Sequence, residues 1–209
     1  MEIYCLSGLG VDQRAFSNVS IKGVNLINIP WITPNKNESL ANYSKRLFET
    51  QNLPDNYILV GLSFGGMVAQ EFAKIKKPKK LFLISTINGN HQLPPYLKLV
   101  KKLGLHKIVP GKLLKKTNFI TFYFFGVNKS EHKTLLKTIL NDTSSSFLKW
   151  AINAIFNWDN KQKVDAIKIH GNKDRLLPNI DSKHLIENGG HFAILTNGKQ
   201  VSEIIKNSL

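Results

Sequence analysis

The stretch Tyr57-Ile58-Leu59-Val60-Gly61-Leu62-Ser63-Phe64-Gly65-Gly66 decides the reading of this chain. Its first four residues form a short apolar run that suits a strand buried on both faces of a parallel sheet. After Ser63 the pattern turns helical, with Met67, Val68, Phe72 and Ile75 on one face of a helix expected over Ser63–Lys76. Ser63 therefore stands at a sharp strand-to-helix turn. A serine in such a turn has strained backbone angles, and its hydroxyl projects from the top of the sheet. Side chains two residues to either side would strike neighbouring backbone, which accounts for Gly61 and Gly65. The helix N-terminus beneath Ser63 adds a positive dipole and free N–H groups.

Outward from this turn, the chain alternates strand and helix patterns. Buried strands are expected at Ile3–Leu6, Val24–Ile29, Tyr57–Val60, Lys80–Ser85 and Ala166–His170, with a weaker sixth at Lys183–Glu187. Amphipathic helices are expected at Glu38–Gln51, capped by Asn37, and at Lys199–Leu209. This alternation predicts an α/β fold: a mostly parallel sheet of about six strands with helices on both sides. The stretch from Asn88 to Gln162 breaks the rhythm, with helical patterns near Pro95–Leu105, Gly111–Phe125, Lys129–Asn141 and Ser144–Asn157. It reads as a helical cap (88–162) inserted into a core formed by residues 1–87 and 163–209. The dense aromatic run Phe119, Phe122, Tyr123, Phe124 and Phe125 is expected to pack the cap on the body and in part to line a pocket.

The chain has 209 residues, enough for one sizeable core. No apolar run reaches the roughly 20 residues that cross a bilayer. The start Met1-Glu2-Ile3-Tyr4 lacks the basic n-region of a signal peptide, and Cys5 is the only cysteine, so a cytoplasmic protein is expected. The net charge is +15, yet the only arginines are Arg14, Arg46 and Arg175. Specific nucleic-acid readers favour the bidentate arginine fork, so no specific nucleic-acid partner is expected. More than half of the excess lies in the insertion, on lysines 98, 101, 102, 107, 112, 115, 116, 129, 133, 137, 149 and 161 against Glu131, Asp142 and Asp159.

A serine becomes a nucleophile through a base, and the base needs an orienting acid. Asp174 follows the fifth strand in His170-Gly171-Asn172-Lys173-Asp174, and His191 follows the sixth in Gly189-Gly190-His191. Each lies just past a strand, in the order Ser, Asp, His. Two backbone donors for a developing oxyanion are expected from Phe64, next to the serine, and from Leu9 in the Gly-rich loop Ser7-Gly8-Leu9-Gly10. The blander readings are a helix cap for Ser63 and a turn residue for Asp174. His184 is the rival base, His170 is expected to be structural, and His91, His106 and His132 are expected on the surface. Trp31 reads as either a pocket-rim residue or a packed turn.

On these residues the sequence resembles the α/β-hydrolase superfamily, and more narrowly its small, capped, esterase-like bacterial members. The resemblance covers nearly the whole chain outside the cap. It implies a serine hydrolase that cleaves a carboxylic ester or thioester through Ser63, His191 and Asp174 and an acyl-enzyme, with no cofactor and no metal. The partner would be a small acyl substrate, with the basic cap suggesting an anionic one. Alternatives are a lyase or carbon–carbon bond hydrolase with the same triad, or a slow receptor module. Two departures stand out: Ser7-Gly8 replaces the frequent His-Gly, and only 17 positions separate Asp174 from His191, so the usual helix between them should shrink to a loop or single turn. Oligomeric state is not legible in the sequence.

Overall fold

The computed structural model describes residues 1–179 and 181–209. In chain order the elements are β1 (Glu2–Leu6), β2 (Asn25–Asn28), α1 (Leu40–Glu49), β3 (Ile58–Leu62), α2 (Phe64–Ile75) and β4 (Lys80–Ile84). Then come α3 (Pro95–Lys102), α4 (Leu105–Ile108), α5 (Gly111–Leu114), α6 (Phe119–Phe125), α7 (Ser130–Asp142) and α8 (Ser145–Asn157). The chain closes with β5 (Ile167–Gly171), β6 (His184–Ile186), α9 (Ala193–Thr196) and α10 (Gly198–Asn207).

The strands form one sheet of six in the order β2-β1-β3-β4-β5-β6, and every pairing is parallel. The chain runs to one side of β1 to make β2 and then returns to the other side to make β3. The loops after β1 and β3 therefore diverge at the carboxyl edge, and such a switch point leaves a crevice for a ligand. The side-chain period of two sorts the core. Ile58, Val60, Leu62, Phe82 and Ile84 face a cluster that includes Phe192, Ile194, Val201 and Ile205 of the C-terminal segment. Leu59, Leu81 and Leu83 face the other cluster, with Tyr43 and Leu47 of α1 and Val68 and Phe72 of α2.

Helices α3–α8 all lie between β4 and β5. Leu136, Ile139 and Leu140 of α7 join the first cluster, and Phe147 and Ala151 of α8 join the second. Polar ties fix the segment further: Trp150 Nε1 donates to the Glu38 carbonyl at 2.9 Å, and Trp158 Nε1 donates to the buried Glu71 carboxylate at 2.6 Å.

Several local expectations are corrected. The cap of α1 is Ser39, whose Oγ accepts the Asn42 N–H at 3.2 Å; Glu38, expected inside the helix, is taken up by Arg46 and the Asn35 N–H. The expected helix Gly111–Phe125 is two helices, because Asn118 starts a new one with a capping box to Thr121. The expected helix Pro95–Leu105 stops at Gly104, which takes a left-handed conformation with φ 66°. Between β5 and β6 no helix forms among the described residues, in keeping with the short Asp174–His191 spacing.

Candidate active site

Ser63 lies between β3 and α2 at φ 52° and ψ −116°, outside the regions L-residues favour. The surrounding backbone enforces this. A Cβ on Gly65 would lie 2.2 Å from the Ser7 carbonyl oxygen and 2.3 Å from that of Leu6, and one on Gly61 would lie 2.6 Å from the Gly65 carbonyl oxygen. The Ser63 N–H donates to the Ile84 carbonyl at 2.8 Å, and the Thr86 hydroxyl donates to the Ser63 carbonyl at 2.7 Å. Both peptide groups flanking the serine are thus anchored to β4 and its loop.

The three widely spaced residues Ser63, Asp174 and His191 meet here. Ser63 Oγ donates to His191 Nε2 at 2.9 Å, and His191 Nδ1 donates to Asp174 Oδ2 at 2.8 Å. His191 and Asp174 are buried. Asp174 Oδ1 accepts the backbone N–H groups of Leu176 and Leu177, both at 2.9 Å. Burial alone would raise the Asp174 pKa. Electrostatic attraction to His191, hydrogen bonds from His170 and His191, and attraction to His170 outweigh burial and hold the carboxyl well below the usual carboxylate range.

His170 is the contributor that sequence reasoning missed. Its Nε2 lies 2.6 Å from the Leu177 carbonyl and 3.0 Å from Asp174 Oδ2. Both are acceptors, so this nitrogen carries the proton. The available signal was position: His170 ends β5 four residues before Asp174. The loop bearing His191 is held by close backbone packing, since a Cβ on Gly190 would lie 2.6 Å from Gly126 Cα. The Phe125 ring meets His191 edge-on at 5.7 Å, and the Phe125 carbonyl accepts the Phe192 N–H at 3.0 Å. Tyr96 Oη lies 2.7 Å from the Arg175 carbonyl and 2.6 Å from that of Leu176, tying α3 to the Asp174 loop.

Leu9 and Phe64 both border the serine. Gly8 approaches so closely that a Cβ on it would lie 3.5 Å from Ser63 Cβ. Neither the Leu9 nor the Phe64 N–H has a hydrogen-bond partner among the described residues. The other candidates separate clearly. His184 is exposed on β6. His91 is exposed as expected, but His132 is buried on α7 and so is not a surface residue. His106 is half-buried, packs on Phe156 with ring centroids 4.7 Å apart, and has no partner for either ring nitrogen among the described residues. Trp31 packs against Tyr43, Phe64 and Phe147 and stays out of the serine's cavity. Cys5 is no rival nucleophile: burial pushes its thiol up to about 12.

Ser63 and His191 open into a cavity of about 510 Å³, within the range of roughly 300–1,000 Å³ that small-molecule sites occupy. Its wall is apolar: Leu9, Val11 and Met67 from the body, and Leu97, Val100, Val109, Phe125, Leu148 and Ile152 from the inserted segment. No lysine lines it among the described residues, so the charge that suggested an anionic small molecule lies elsewhere. No described group of three or more His, Cys, Asp or Glu residues is placed to hold a metal ion.

No protein-family model matches the sequence, and no curated protein matches it. Solved structures do match. An esterase from Exiguobacterium antarcticum superposes with a TM-score of 0.77 at 18% identity, covering 100% of this chain and 91% of that one. A lipase-esterase related protein from Clostridium acetobutylicum gives 0.75 at 17% identity, covering 100% and 94%. A bromoperoxidase from Bacillus anthracis gives 0.71 at 14% identity, covering 98% and 90%. The chain has the α/β-hydrolase fold.

Two outcomes follow from the site's construction. Gly65→Ala should cost several kcal/mol or prevent folding, because the new methyl meets backbone oxygens that cannot yield; a denaturation midpoint equal to wild type would contradict this. Asp174 titrates lower when folded than when unfolded. Its contribution to stability is therefore complete above the ordinary aspartate value of about 3.9 and is lost as pH falls below it. Urea unfolding from pH 7 to pH 3 should show a steeper acid loss for wild type than for Asp174→Asn.

Proposed function

We propose that this protein is a serine hydrolase that cleaves a carboxylic ester or thioester through an acyl-enzyme on Ser63. The observation that carries the reading is the continuous hydrogen-bonded line Ser63 Oγ, His191, Asp174 opening on an apolar cavity. The esterase names of two structures with the same fold add support. The acyl part of a substrate lies in the cavity with its carbonyl carbon against Ser63 Oγ. His191 Nε2 takes the hydroxyl proton as Oγ attacks. The Leu9 and Phe64 N–H groups donate to the oxygen that becomes negative, and neither has a partner among the described residues. The imidazolium that forms is stabilised by Asp174, whose remaining lone pairs are held by Leu176, Leu177 and His170. His191 then passes its proton to the leaving oxygen or sulfur. It next draws a proton from water, which attacks the acyl carbon and releases the acid.

Residues 88–162 serve in this reading as a cap over the acyl site. Their apolar inner wall favours an uncharged acyl chain over a charged one.

A fluorophosphonate probe should label Ser63 in the folded protein and leave Ser63→Ala unlabelled. Ser63→Ala and His191→Ala should each lose at least about 1,000-fold in ester turnover, while His184→Ala keeps wild-type rates. Activity that survives in His191→Ala and vanishes in His184→Ala would overturn the assignment of the base. Absent labelling of folded wild type would overturn the nucleophile.

A further inference from the structure

The inserted helices present an outer face that the serine chemistry does not use. Twelve large apolar side chains are exposed among the described residues, and nine of them fall between Tyr96 and Tyr123. Ile108 is 74% exposed, Phe119 81% and Ile120 61%. The aromatic run expected to pack inward does so only in part: Phe122 and Phe125 join the core, while Phe119 and Tyr123 face solvent. An apolar surface gathered into one segment marks an interaction site, unlike apolar side chains scattered singly.

Charge identifies the partner. Residues 88–130 carry lysines 98, 101, 102, 107, 112, 115, 116 and 129 and no Asp or Glu. The two sets interleave along the chain: Leu99, Lys102, Leu103, Lys107, Ile108, Lys112, Leu113, Lys116, Phe119. Lys102, Lys107, Lys112 and Lys116 are exposed. A second copy of this chain would set like charges against each other. An anionic lipid surface satisfies both sets at once: apolar side chains enter the acyl boundary while lysine stems lie along it and the ammonium groups meet headgroup phosphates. No described helix is long and apolar enough to cross a membrane, so the contact is one of lying on the surface.

We propose that the outer face of α3–α6 docks this protein on an anionic lipid surface. The same helices wall the serine's cavity through Leu97, Val100 and Leu114. Membrane-derived acyl lipids are then the substrate class; that second step rests on the hydrolase reading, whereas docking does not.

The test is co-sedimentation of the full chain with vesicles of phosphatidylcholine alone or mixed equally with phosphatidylglycerol, at low and molar salt. Wild type should partition to the mixed vesicles at least about tenfold better than to neutral ones, and molar salt should erase most of the difference. Ile108→Asp with Phe119→Asp should lose about tenfold or more, as should Lys102→Glu with Lys107→Glu and Lys112→Glu. All these positions are exposed, and both variants should hydrolyse a soluble short-chain ester at the wild-type rate. Ser63→Ala should bind vesicles normally, which separates docking from chemistry. Equal binding to neutral vesicles overturns the proposal. Loss in the lysine variant alone means a purely electrostatic partner such as nucleic acid or an acidic protein, and also overturns it. So does a wild-type dimer in sedimentation velocity that Ile108→Asp with Phe119→Asp dissociates. Vesicle binding without soluble-ester hydrolysis would sink the hydrolase reading and leave docking standing.

Discussion

A residue with a side chain at φ 52° and ψ −116° costs on the order of 1–3 kcal/mol and persists only where its surroundings over-determine it. Ser63 meets that condition. The strand before it is buried along its whole length, the helix after it is buried from Phe64 to Phe72, and the turn is pinned to Ile84 and Thr86. The absence of a side chain at Gly65 lets α2 press against the carbonyls of β1. That contact brings the Gly8–Leu9 loop beside the serine, so one steric constraint places both the hydroxyl and the Leu9 and Phe64 N–H groups, which have no partner among the described residues.

The second determinant is electrostatic. A buried carboxylate is stable only when its lone pairs are occupied. Asp174 accepts from two backbone N–H groups and two histidines, and stays ionised despite burial. The negative charge so fixed beside His191 makes an imidazolium there less costly. Tyr96 and Phe125 tie the inserted helices to the Asp174 and His191 loops, so the insertion supports the site as well as enclosing it.

Much of this was legible in the sequence, for identifiable reasons. The strands are short apolar runs bounded by turn residues, and Ser63, Asp174 and His191 each follow one, so their meeting at one sheet edge could be read from order alone. The insertion was harder. Its helical pattern was visible, but Gly104 and Asn118 divide it into shorter pieces than periodicity suggests. Which aromatic side chains pack inward depends on how those pieces lie, and nothing local distinguishes Phe119 from Phe125. The contact of His170 with Asp174 is not legible locally, because it depends on a loop closing back on the strand. The burial of His132 and the half-burial of His106 leave no local mark, because isolated polar residues carry no sign of burial.

The sheet edge fixes Ser63, His191 and Asp174 in one hydrogen-bonded line, and the inserted helices offer an apolar wall inside and a basic, apolar face outside. The proposed acylation of Ser63 in the course of turnover is read by rapid quench with p-nitrophenyl butyrate and mass analysis of the digested protein. A transient butyryl adduct is expected on the peptide containing Ser63, formed and lost at rates compatible with turnover. Ester hydrolysis with no adduct on that peptide, or with the acyl group on another residue, would contradict the proposed acylation.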